Sequence, residues 1–109
     1  MKIKNIQIKS VEGDTALTEI MFEIASARAE KIELLRLNLD ERAEGYSKLL
    51  SFVIRKLKNM KQRGQIQFFA LADSFERNST EAVFLLNKYP EYFENLKVDE
   101  SKGFIYVKI

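Results

Sequence analysis

The stretch Leu37-Asn38-Leu39-Asp40, continued by Glu41-Arg42-Ala43-Glu44-Gly45-Tyr46-Ser47-Lys48-Leu49-Leu50, constrains this chain most. It reads as a buried strand that enters a glycine-containing turn, and the turn opens a long amphipathic helix. The rest of the chain can be ordered around that junction. The plain reading of its residues makes Asp40 the helix N-cap and puts Glu41 and Glu44 in the first turn, where carboxylates are favourable.

At 109 residues the chain fits one small domain, 1–109, with a single core. It contains no Cys and no His. That removes disulfides, thiol nucleophiles, Ser-His triads and the usual zinc sites. Carboxylates, Tyr, Lys, Arg, hydroxyls and backbone amides remain for chemistry. No apolar run approaches the roughly 20 residues of a membrane span, and the N-terminus has no signal-like apolar segment. The expected location is therefore cytoplasmic, with no membrane partner. A net charge of +2 does not by itself point to nucleic acid.

In chain order, residues 2–9 mostly alternate and read as a half-exposed strand, followed by a turn at Glu12-Gly13-Asp14. Residues 15–30 fit two periods. Leu17, Ile20, Met21 and Ile24 suit a helix, whereas Ile20, Phe22 and Ile24 share one face of a strand. A helix leaves almost no connection to the next strand, so the expectation is a strand over roughly 16–26. Residues 31–39 form the next strand. The helix then runs to about Gln62, with Leu50, Val53, Ile54, Leu57 and Met60 inward, and stops at Gly64. Residues 65–71 read as a buried strand, and 73–78 as a polar loop. A second helix spans about 80–88, capped by Ser79 or Asn78, with Ala82, Leu85 and Leu86 inward. Lys97-Val98 and 104–109 read as strands around a turn at 100–103. The expected fold is α+β, with a mixed, mostly antiparallel sheet and two helices in the order βββαβαββ. The opening strands form an antiparallel meander, and the strands at 31–39 and 65–71 pair in parallel through a crossover.

That order, together with Arg42-Ala43-Glu44-Gly45-Tyr46-Ser47, resembles the GNAT superfamily of acetyl-CoA-dependent N-acetyltransferases. Arg42 and Gly45 fit the family's phosphate-binding pattern of Arg or Gln, two residues, Gly, one residue, then Gly or Ala. Ser47 is a small substitute at the last position. The resemblance implies acetyl-CoA as cosubstrate. Amides from Ala43, Glu44, Gly45, Tyr46, Ser47 and Lys48 would hold its pyrophosphate, and the strand carrying Leu37 and Leu39 would pair with the pantetheine arm. Asn78 and the run Leu85 to Tyr89 look like the family's closing helix. The family's usual thiolate-protonating Tyr aligns with Leu86, so Tyr89 is the nearest substitute. The acceptor amine is not implied. The alternative is a non-catalytic binding or interaction module that keeps such a fold.

Glu19, Glu23 and Glu33 are candidate general bases if they face a cleft, and solvated strand residues otherwise. Arg55, Lys56, Lys58, Lys61 and Arg63 read as a solvated helix end, or as a contact for phosphate. Phe68, Phe69, Phe75 and Phe84 suit a core. Tyr89, Tyr92 and Phe93 form an apolar edge that either packs beneath the last hairpin or makes a homodimer contact.

Overall fold

Alternation, glycine stops and one well-placed cap determine most of the elements. The computed structural model describes residues 2–40, 42–75, 79–93 and 104–109. In chain order they form β1 (Ile3–Ile8), α1 (Gly13–Ala29), β2 (Leu34–Leu39), α2 (Tyr46–Gln62), β3 (Phe68–Leu71), a 3-10 turn (Ala72–Phe75), α3 (Thr80–Lys88) and β4 (Phe104–Lys108). The expected strand at Lys97-Val98, its turn at 100–103, and Glu41 and Asn78 lie outside the described residues.

The sheet order is β1-β2-β4-β3. β1 and β2 are parallel, with Ile3 opposite Leu34 and Ile8 opposite Leu39. β4 is antiparallel to β2 on one side and to β3 on the other. The fold is thus α+β with a mixed four-stranded sheet, as the sequence suggests. The helices number three among the described residues, not two, and the order is βαβαβαβ.

The stretch 16–26 is helix, not strand. Ala16, Ile20, Ile24 and Ala27 recur at helical spacing and are all buried against the sheet. Phe22, which the strand reading placed beside Ile20 and Ile24, points outward at 68 % exposure. The short connection to β2 is made by a tight C-terminal motif. Lys31 sits in the left-handed region (φ 59°), its amide bonds Arg28 O, and the Ile32 amide bonds Ala27 O at 2.8 Å. β1 and β2 are therefore joined by a helical crossover and run parallel, instead of forming an antiparallel meander.

α2 shows the same terminal motif at Gly64 (φ 73°), where Gly64 N bonds Lys61 O and Gln65 N bonds Met60 O. The expected glycine stop holds. The buried stripe is Leu49, Val53, Leu57 and Met60; Leu50 and Ile54 are half-buried. α3 spans residues 80–88 as expected, with the Ser79 side chain accepting from Ala82 N at 3.2 Å. Ser79→Ala is expected to lower stability by about 1 kcal/mol, read as a melting shift of a few degrees.

Strand residues alternate between two cores. Ile8, Leu35, Leu37, Leu39, Ile105 and Val107 pack under α1 and α2. Leu34, Ala70 and Tyr106 pack with α3 and with Phe75, Tyr89 and Phe93 on the other face. Phe75 and Phe93 are thus core, and Phe68 and Phe69 are half-buried against it; Phe84 is 44 % exposed.

β2 and β3 do point the same way, because each opposes β4. They are not neighbours, since β4 lies between them. A cleft between those two strands therefore does not form.

Candidate functional site

Because β1 and β2 are parallel and in register, the segments after Ile8 and Leu39 leave from the same sheet edge. That edge, at the carboxyl ends of parallel strands, is where ligands commonly bind in sheets with helical crossovers.

The first segment is clamped. The Glu19 carboxylate accepts from the amides of Lys9 (3.2 Å) and Ser10 (3.1 Å) and from the Ser10 hydroxyl. The Ser10 hydroxyl bond is the main reason its carboxyl is held below the ordinary carboxylate range, with the two amides adding to it. Glu19 thus anchors a loop and is not placed as a base. Its folded pKa is depressed, so its contribution is present above about pH 4.5 and lost as pH falls through the lower folded value. Glu19→Gln should lower stability at pH 7, and the gap to the parent should narrow below about pH 4, measured by urea unfolding at both pH values.

The second segment is a compact turn. Asp40 caps this turn and not the helix: its side chain accepts from Arg42 N at 3.0 Å and its carbonyl from Ala43 N at 3.1 Å. α2 begins only at Tyr46, with Gly45 as N-cap in the left-handed region (φ 77°). A Cβ on Gly45 would meet nothing within 4 Å, so the glycine is required by backbone conformation and not by crowding.

The amides expected to form a phosphate cradle are divided. Ala43 N and Tyr46 N (to Ala43 O, 3.2 Å) are used within the turn. Among the described residues no side chain caps α2 and no acidic side chain lies in its first turn. The amides of Ser47 and Lys48 make no hydrogen bond to the described residues and lie on exposed positions beside the Lys48 side chain. An uncapped helix start with two free donors and a cation attracts an anion.

A depression of about 380 Å³ opens here between the starts of α1 and α2, lined by Gly13, Asp14, Glu44, Gly45, Lys48 and Phe52 among others. A second, shallow one continues along α2 past Ser47, Ser51 and Phe52 to Arg55. Arg55 and Lys56 both lie over the Phe52 ring, at 5.5 and 5.3 Å from its centre. Asp14 and Glu44 bring negative charge to the same rim and oppose an anion. Phe52, Gly13 and Asp14 were not legible as site residues, because reading 16–26 as a strand hides the approach of α1 to α2.

Other expected site residues fall elsewhere. Leu37 and Leu39 are buried beneath α1 and α2. β2 is hydrogen-bonded to β1 on one side and β4 on the other, so its main chain has no free edge for a pantetheine arm. Arg42 is exposed on the turn.

Tyr89 and Glu33 lie at the opposite end of β2, about 20 Å from the Gly45 turn at roughly 3.3 Å per strand residue. The Tyr89 ring is buried in the second core. Its hydroxyl makes no hydrogen bond to the described residues. Burial, then the neighbouring Glu33 charge, push the phenol up. Nearby Lys108, 7 % exposed, is pushed down by burial and then by Lys88. The Tyr89–Glu33 pair and the helix start therefore do not form one catalytic site. Glu23 is engaged with Lys4 at 3.8 Å.

No protein-family model, no curated protein and no solved structure matches this chain. No helix of the described residues is long and apolar enough to cross a membrane.

Proposed function

We propose that this domain is a binding module for a phosphate-bearing small molecule of the CoA or nucleotide type, held at the start of α2 and not coupled to acyl transfer. The observation that carries this reading is the uncapped, carboxylate-free first turn of α2. Gly45 in the left-handed region leaves the Ser47 and Lys48 amides open beside a lysine. Arg55 and Lys56, gathered over the Phe52 ring, add positive charge beside that anion site.

Acetyl-CoA is the first ligand to test, on the strength of the GNAT-like run Arg42 to Ser47. The separation of Tyr89 from this end, and the pairing of β2 on both sides, favour binding without transfer.

Calorimetric titration with acetyl-CoA, ADP and inorganic pyrophosphate tests the proposal. Lys48→Glu should weaken binding roughly 10- to 100-fold, the scale of a lost charge-assisted contact. Asp14→Asn should strengthen it by relieving repulsion at the rim. Absence of heat and of thermal stabilisation at millimolar concentrations of all three ligands would sink the reading.

A further inference from the structure

A further depression lies away from the α2 start. It encloses about 620 Å³ and is lined by Phe69, Ala70 and Leu71 of β3, by Ile54, Lys58 and Lys61 of α2, and by the start of α3. Consecutive strand residues point to opposite faces of a sheet. Phe69 and Leu71 belong to the face under α2, and Ala70 to the face under α3. Three successive residues can line one space only if that space runs along the strand's edge.

Among the described residues β3 is terminal in the sheet order and hydrogen-bonded to β4 on its inner side alone. The depression is therefore a slot. It is lined by residues of β3, of α2, and by Ser79 and Glu81 at the start of α3.

The charge of the slot selects its occupant. α2 carries Lys48, Arg55, Lys56, Lys58 and Lys61 and no acidic residue. Lys58 pairs with no carboxylate among the described residues. Lys61 is held across the slot by Glu81 at 2.7 Å, and that contact is the main cause of the lowered Glu81 carboxyl pKa. Both partners are substantially exposed, so the bridge contributes little to stability and yields readily to a competing carboxylate.

We propose that the slot accepts an extended acidic peptide as a fifth strand on β3. Main-chain hydrogen bonds to the edge of β3 hold it, its carboxylates project to the α2 face and meet Lys58 and Lys61, and its alternate apolar side chains project to the α3 face beside Ala70. A peptide fits better than a nucleic acid, because the slot runs along a strand edge able to pair with an extended main chain.

Fluorescence anisotropy with a labelled alternating Val/Glu decapeptide tests this, with a Val/Lys decapeptide and a ten-nucleotide oligothymidine as comparisons. The Val/Glu peptide should bind and the Val/Lys peptide should not. Lys58→Glu should raise the Kd at least fivefold. Glu81→Gln, which frees Lys61, should lower it. Amide exchange within Phe68–Leu71 should slow on binding. No binding to 1 mM, insensitivity to both substitutions, or binding without protection of Phe68–Leu71 would each overturn the proposal. Tighter binding of the oligothymidine, abolished by Lys58→Glu, would assign the surface to nucleic acid instead.

Discussion

Tyr106→Ala is expected to lower the unfolding free energy by about 3–5 kcal/mol, measured by urea denaturation followed by far-UV circular dichroism. Tyr106 is 1 % exposed on β4 and central to the smaller core. Its ring meets Phe93 at 4.8 Å and, edge-on, Phe75 at 5.3 Å. Phe75 and Phe93 also contact one another at 4.9 Å. Truncation removes the buried area of one ring and leaves a cavity between two others. Among the described residues this face has one short helix, α3, over it, so few of them can move in to fill the gap. A domain of this size is expected to have roughly 5–15 kcal/mol in total, so the variant should be near the edge of folding at 37 °C. Near-UV ellipticity should fall more than far-UV ellipticity, because aromatic packing is lost before helix content. A loss below 1 kcal/mol would mean that the aromatic cluster does not hold α3 to the sheet.

Leu37→Ala is expected to cost about 2–5 kcal/mol, with a melting decrease of roughly 4 °C per kcal/mol. Leu37 lies in the middle of β2, pairs with Ile6 on one side and Ile105 on the other, and is fully buried beneath α1 and α2. It belongs to the same buried cluster as Leu35, Leu39, Val53 and Ile20. A rigid surround relaxes little, so the cavity contribution stays large. The same substitution tests the site assignment. If Leu37 touched a pantetheine arm, the variant would lose ligand affinity out of proportion to its stability. With Leu37 in the core, affinity at the α2 start should be unchanged at temperatures where the variant is folded.

Elements with local signals could be read from residues alone. The expected strands at 31–39 and 104–109, the helix from the junction to about Gln62 and the helix at 80–88 correspond to elements of the structure for that reason, although α2 starts only at Tyr46. Gly64 stops α2 and Ser79 caps α3 through contacts within a few residues. Gly45 was identifiable as the opening of a helix on the same grounds. The five-residue delay of α2 after Asp40 was less legible, since Asp40 can cap a turn as readily as a helix.

Residues 15–30 mark the limit. Ile20 and Ile24 satisfy both a period of two and a period near four, so no local signal separates helix from strand there. The deciding contacts are distant: Gly13 against Phe52, and Ile20 and Ile24 beneath the sheet with α2 alongside. The short connection to β2 is closed by Lys31 in a left-handed conformation, a geometry its side chain does not announce.

The sequence by itself determined that α2 stops at Gly64, that α3 starts after Ser79, and that α2 is basic. Those properties come from side chains acting on their own backbone within a turn or two. Only the tertiary structure decided that β4 inserts between β2 and β3. Strand order is set by which edges and faces remain to be buried, a condition on the whole sheet and on no single segment. That insertion closes both edges of β2, puts Tyr89 and Glu33 at the far end from Gly45, and leaves β3, among the described residues, with an unpaired outer edge.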